Sequence, residues 1–363
     1  MKIIDTLRVL LGSAALGLAA NAAWGAFEDP LQAPALANVA AARSPLVGVA
    51  SAGDLLMAVG QRGVAVVSHD AGQNWTQAAV PVRTDLLAVH FPTPDKGWAV
   101  GQGGVVIHSA DGGRSWTKQL DGQSASQRII EYYAQAGAEG AEAIERERSL
   151  AELGGTQPFM GVYFEDERRG YVVGTFNRIL RTEDGGRTWE PLGHRVDNPD
   201  ELHFYGIAGG VAGLAIVGEQ GMVWMYDAAE DRFVQRPTGY HGTLFGIVAG
   251  RQALIAYGMR GSVYRSADLG MSWERVAIDG HAGVAGGAEL EDGRILLANL
   301  AGGLLLGDAR AERFQAFRAA SPMSYSGVAA DARGVLSLVG AEGVRMQAVG
   351  TLQAAGDGDR ATR

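Results

Sequence analysis

The side chains able to do chemistry in this 363-residue chain are carboxylates, arginines and histidines; Cys is absent. One Asp recurs inside four near-identical octapeptides: Ser68-His-Asp-Ala-Gly-Gln-Asn-Trp75, Ser109-Ala-Asp-Gly-Gly-Arg-Ser-Trp116, Thr182-Glu-Asp-Gly-Gly-Arg-Thr-Trp189 and Ser266-Ala-Asp-Leu-Gly-Met-Ser-Trp273. Glycoside hydrolysis needs two carboxylates in opposed roles, an acid for the leaving oxygen and a base or nucleophile. Four copies of one Asp in one setting cannot supply opposed roles. Asp70, Asp111, Asp184 and Asp268 read instead as turn residues whose carboxylates accept backbone N–H groups beside a permissive Gly. Trp75, Trp116, Trp189 and Trp273 are four of the seven Trp, and their shared position predicts rings buried between packed units. Glu219 and Glu342 remain as an alternative acid/base pair, and Arg62, Arg178 and Arg260 as an arginine triad for a substrate carboxylate. His69, His90, His108, His194, His203, His241 and His281 show no HxH or HExxH spacing, so no metal site is expected. No Gly-rich loop opens a helix, and no cofactor is expected.

The elements that must position these residues are repeats. Residues 56–75 and 97–116 match with a spacing of 41, and residues 170–189 continue the pattern 73 further on, which is 41 plus an insertion of 32. Worn copies follow around Gly218 and Phe233, around Gly258 and Trp273, around Gly302 and Phe314, and around Gly340 and Gly343. Each copy holds four short β segments, and seven copies of that size predict a seven-bladed β-propeller spanning residues 44–349. Gly60, Gly101, Gly174 and Gly218 fall at the turn between second and third strands, where freedom to take positive φ is the expected reason for Gly. The seventh copy ends without a clear outer strand. Part of residues 23–43, near Leu36 to Ala40, is therefore expected to close the last blade, with Thr351 to Ala354 as the alternative and residues 350–363 as a flexible tail.

The octapeptide is the Asp-box, S/T-x-D-x-G-x-x-W, which also occurs in sialidases and other glycoside hydrolases. With A-V-G-x-x-G at residues 58–63 and 99–104, L-L-A-V-H-F at 86–91 and D-G-G-x-[ST]-W at 111–116 and 184–189, the chain resembles the photosystem II stability/assembly factor family of Asp-box propellers. The resemblance implies a non-catalytic protein-binding propeller that serves a membrane protein or envelope complex as an assembly, stability or accessory factor. The client it implies is a photosystem subunit or, in non-photosynthetic bacteria, a transporter of the resistance-nodulation-division class. A sialidase-like enzyme is the alternative. It is disfavoured because no Arg-Ile-Pro segment precedes the first blade and because seven blades replace six.

The insertion, residues 121–153, is rich in Ala, Glu and Arg and is expected to form two short helices broken at Gly137 and Gly140. Its Ile129, Ile130, Tyr132 and Tyr133 are candidates for a docking arm. The partner-binding face is expected at one end of the channel. Arg62, Phe176, Arg178, Glu219, Arg260 and Glu342 would come from turns, and Phe159, His203, Tyr205, Tyr240, His241 and Tyr325 from the segments leading into first strands. Residues 1–22 read as a secretory signal: Lys2 and Arg8 precede an apolar stretch too short for an ordinary membrane span, with processing expected after Ala22 or Gly25. The net charge of −9, without a basic run, argues against nucleic acid. The expectation is a periplasmic, monomeric propeller that reaches the membrane through its partner.

Overall fold

In five repeats the second strand is buried at every position: Leu55–Gly60, Gly97–Gly101, Gly170–Gly174, Leu254–Gly258 and Ile295–Asn299. A strand that hides both faces must be covered on both sides, which for a four-stranded unit means stacking between neighbours. The computed structural model describes residues 28–355 and has that arrangement, a seven-bladed β-propeller. Blade one holds Leu46–Ala52, Leu55–Gly60, Ala65–Ser68 and Thr76–Gln77, hydrogen-bonded in sequence order. Blades two to six span residues 86–120, 159–191, 204–235, 244–275 and 284–318, and blade seven spans 325–348. First strands pack on first strands around the channel, and Leu46–Ala52 meets Tyr325–Ala330 of blade seven to close the ring.

The cores lie between blades. Trp116 meets Phe91 edge-on at 5.8 Å, and Trp189 meets Phe164 in the same way at 6.2 Å. Blade four has no Asp-box, and Phe233 takes the Trp position against Tyr171 of blade three at 6.3 Å. Such edge-to-face pairs add to area burial by about 0.5–1.5 kcal/mol each.

The repeated Gly at the end of the second strand has a different reason from the expected one. Gly60, Gly101, Gly218 and Gly258 are extended, with φ between −159° and −177°. Each lies against the segment entering its own blade. A Cβ on Gly60 would stand 2.3 Å from Pro45 O, and one on Gly101 2.0 Å from Asp85 O. The requirement is close backbone approach. Positive φ appears two residues later, at Arg62 (53°), Phe176 (57°), Gln220 (55°) and Arg260 (58°).

Closure of the last blade also departs from expectation. Blade seven has three strands, and no strand from residues 28–43 joins it. Pro30 and Pro34 remove two ladder donors from that segment. It runs instead along blade one, where Ala35 N donates to Val80 O (3.0 Å). Only a short 3-10 turn, Ala41–Arg43, reaches blade seven and packs beside Gly343–Ala348. At the other end Gln353–Ala354 pairs with Phe314–Arg318 and becomes a fifth strand of blade six. The expected signal segment and residues 356–363 lie outside the described residues. Among the described residues no helix is long and apolar enough to cross a membrane.

The insertion forms helix α1 (Gly122–Ala134), a 3-10 turn (Gly137–Gly140) and helix α2 (Ala141–Glu152). A capping box starts α1: Ser124 N donates to Asp121 Oδ1 (3.0 Å) and Asp121 N donates to Ser124 Oγ (2.9 Å).

Candidate functional site

The four Asp-boxes share one geometry. In the first, Ser68 Oγ donates to Asp70 Oδ1 (2.8 Å), Gly72 N donates to Ser68 Oγ (2.8 Å), and Asn74 N donates to Asp70 Oδ1 (2.9 Å). Asp111, Asp184 and Asp268 are held likewise by Ser109 and Ser115, Thr182 and Thr188, and Ser266 and Ser272. These bonds favour the carboxylate. The bonds from Asn74 and Ser68 hold Asp70 down at about 2, and those from Ser272 and Ser266 hold Asp268 there too. Asp111 and Asp184 are also lowered, their hydrogen bonds outweighing burial, which acts the other way. A carboxylate kept ionised by its own turn is a poor general acid.

Of the residues expected on the channel-end face, one group converges. The Phe176 ring, at the tip of the blade-three turn, meets the His203 ring of blade four at 4.5 Å and 70°. His203 N donates to Glu219 Oε2 (2.9 Å), and His203 Nδ1 lies 3.7 Å from Glu219 Oε1. Tyr205, two residues on, is half-buried with its ring 6.3 Å from Phe245 of blade five. Burial, with the Glu219 charge adding, raises the Tyr205 phenol above its ordinary range and keeps it a neutral hydroxyl. Beyond them Tyr240 Oη donates to Met259 O (3.0 Å), bracing the turn that carries exposed Arg260, and His241 is exposed. Phe176, Met259 and Leu300 are exposed apolar side chains of the turns of blades three, five and six.

Other expected members lie elsewhere. Phe159 and Tyr325 are fully buried in the cores between blades. Arg178 is buried beneath the insertion, where its Nη2 pairs with Glu147 of α2 and donates to Ser126 Oγ of α1 (2.7 Å). Arg62 and Glu342 are exposed on blades one and seven, away from this group; Glu342 pairs with Arg345 at 3.2 Å. The proposed arginine triad is therefore broken by the burial of Arg178. Among the described residues no three His, Asp or Glu are grouped to hold a metal.

The insertion residues turn inward. Ile129 and Tyr133 are buried; Tyr133 Oη bonds His194 Nδ1 (3.1 Å), and Tyr132 Oη donates to Glu190 Oε1 (3.2 Å). Ile130 is partly exposed on α1. Arg146 of α2 pairs with Glu201, so the hairpin is fastened at four points, two on blade three and two on the linker that follows it.

Sequence reasoning missed Phe245. It occupies the same place in its first strand as Tyr205, 40 residues earlier, so the repeat register carried the signal.

The model of the family described as photosynthesis system II assembly factor YCF48 matches residues 67–143 and 141–299. No curated protein sequence matches the chain. A structure of YCF48 bound to D1 peptide superposes with a TM-score of 0.59 at 16% identity, covering 90% of this chain and all of that one. YCF48 from Cyanidioschyzon merolae superposes at 0.60 and 15% identity, covering 84% and 96%. The WD40 propeller domain of Doa1 reaches 0.59 at 10% identity, covering 91% and 98%, and shares the fold.

Proposed function

The chain belongs to the photosynthesis system II assembly factor YCF48 family, and from that premise we propose that it is a non-catalytic propeller that holds a client membrane protein. The carrying observation is the cluster of Phe176, His203, Tyr205 and Glu219 at the channel end. Aromatic rings set beside a hydrogen-bonded acid suit an extended polypeptide, for rings supply contact area and polar atoms fix direction. The YCF48 structure with D1 peptide supports the same reading by analogy. The client is a membrane protein reached from the periplasm after export through the N-terminal signal. It is a photosystem subunit in a photosynthetic host, or a resistance-nodulation-division transporter in another.

The test is cross-linking of tagged protein in its native envelope, followed by mass spectrometry, with wild type compared to Phe176→Ala/Tyr205→Ala. Recovery of one membrane protein, reduced about tenfold or more in the variant, supports the reading; two such anchors typically account for that much binding energy. A specific partner captured equally by the folded variant would move the binding face elsewhere. Turnover of a sialoside that is abolished by Glu219→Gln would overturn the non-catalytic assignment.

A further inference from the structure

Blades one and five can be superimposed by sequence number. Ala78 N donates to Ala65 O and Val276 N to Val263 O, both at 2.9 Å, so the offset is 276 − 78 = 263 − 65 = 198. At the rim of blade one, between the turn at Gly63 and the linker that follows the outer strand, lies the chain's own N-terminal segment. Arg83 N donates to Pro30 O (2.7 Å) and Ala35 N to Val80 O (3.0 Å). Gln77 grips the same segment, with Nε2 donating to Leu36 O (2.9 Å) and Oε1 accepting from Asn38 N (2.7 Å). Beyond a turn at residues 29–32, Ala33 and Ala35 are turned in while Pro34 and Leu36 are exposed, the alternation of an extended chain. Glu28 ends the contact with an ion pair to Arg83 (3.2 Å).

Among the described residues the counterpart on blade five is open. Gly261, Arg275, Val276, Ala277, Ile278, Gly280 and His281 stand 198 beyond Gly63, Gln77, Ala78, Ala79, Val80, Val82 and Arg83, and they line a shallow surface groove. Ile278 O and His281 N correspond to the backbone acceptor and donor used on blade one, and they hydrogen-bond to nothing among the described residues. The contact between this Gly and its own linker recurs around the ring: Gly104 of blade two abuts Gly122, Gly221 of blade four abuts Tyr240, and Gly302 of blade six abuts Met323, as Gly261 abuts Gly280.

We propose that the blade-five groove docks an extended peptide of another protein, with small apolar side chains at alternate positions and an acidic residue at its N-terminal end. The backbone bonds it offers are those that blade one already makes to such a segment. Small side chains are needed because on blade one the segment comes this close to the equivalent glycine: a Cβ on Gly63 would stand 3.2 Å from Ala35 Cβ. Exposed His281 stands where Arg83 pairs with Glu28 on blade one, and its ring N–H can donate to a carboxylate; exposed Arg275 stands at the other end, where Gln77 grips Leu36 and Asn38. Docking of this kind is strand-like recognition, in which main-chain bonds give affinity and alternate side chains give selection. It stands on the internal repeat and does not require the client-binding reading of the channel end.

The probe is a fluorescein-labelled peptide with the sequence of residues 28–40, titrated into the intact full-length protein and followed by anisotropy and by hydrogen exchange. Saturable one-to-one binding with new protection over 276–282 is expected. Ala277→Trp, which places a ring in the groove at an exposed position, weakens it at least about tenfold, and His281→Glu, which opposes Glu28 of the peptide, weakens it about three- to tenfold. Either variant suffices if the other fails to fold. No saturation up to about 1 mM peptide, equal affinity in the variants, or protection confined to 77–83 would each overturn the proposal, the last by assigning the binding to exchange with the chain's own segment.

Discussion

Blades three and five share a framework. Each has a second strand buried throughout, a closing Gly pressed on the carbonyl of its lead-in (Pro158 O and Thr243 O, both 2.2 Å from a built Cβ) and an Asp-box with its Trp. Each turns with a non-Gly residue at positive φ, Phe176 or Arg260. They diverge above that framework. Position by position the burial is the same: Phe176 and Arg260 are exposed, while Arg178 and its counterpart Ser262 are buried. The helices α1 and α2 over blade three change what the buried position carries, a guanidinium paired with Glu147 in place of a small hydroxyl. The repeat therefore sets where a side chain stands and whether it is buried, while the added segments decide what chemistry the buried place can hold.

Mutations can break that contrast. Glu147→Ala leaves the buried Arg178 charge unpaired and is expected to cost roughly 3–5 kcal/mol in urea unfolding, whereas Arg260→Ala changes stability by no more than about 0.5 kcal/mol. Replacing the pair together, Glu147→Leu with Arg178→Met, should recover most of the loss, since a well-packed apolar pair substitutes for a buried ion pair. Equal effects at Glu147 and Arg260 would erase the distinction between the blades.

The Trp rings sharpen it. Trp189, 6% exposed, should cost about 3–5 kcal/mol as Trp189→Ala, and half-buried Trp273 about half of that, by thermal and urea unfolding.

The seams differ in pH response. Phe164 N of blade three donates to His90 Nδ1 of blade two (3.2 Å), and burial pushes His90 down to about 4. Ala208 stands at the corresponding place between blades four and five, 118 residues on. The unfolded chain protonates His90 near 6.5, the native state only near 4, so stability is full above about pH 6.5 and falls as pH drops through about 4. The expected loss is on the order of 2 kcal/mol between pH 7 and 4, flattened in His90→Gln, read from unfolding midpoints across pH. A smaller loss, about 1 kcal/mol, belongs to Tyr240→Phe, which removes the bond to Met259 O, with the exchange of blade-five amides as the local readout.

The blades were legible because each repeat writes the same local chemistry again. Asp70, Asp111, Asp184 and Asp268 reveal their turn by recurrence, and the α1–α2 hairpin announces itself through composition and Gly137. The Gly at the end of each second strand was located but misread, because one chain of letters distinguishes a left-handed backbone from a crowded one poorly. Burial of Arg178 was hidden for another reason. Helix α2 carries Glu145, Arg146, Glu147 and Arg148 in a row, and only the spacing of Ile144, Glu147 and Leu150 puts Glu147 on the inward face. Closure was misjudged because pairing of Gln353–Ala354 with blade six is a long-range choice that no local pattern encodes.

The three-stranded last blade has a mechanical consequence. In a ring whose final sheet draws strands from both chain ends, the joint is a zipper of main-chain bonds. Here the joint between blades seven and one is held by side chains and two hydroxyls: Ser326 Oγ donates to Leu46 O (2.7 Å) and Ser51 Oγ to Ala330 O (3.0 Å), over a small apolar patch of Ala41, Leu46, Ala58, Val66 and Val339. The molecule is thus a split washer, closed at one cut by side-chain packing and two hydroxyls, where the blades can part without unthreading a sheet.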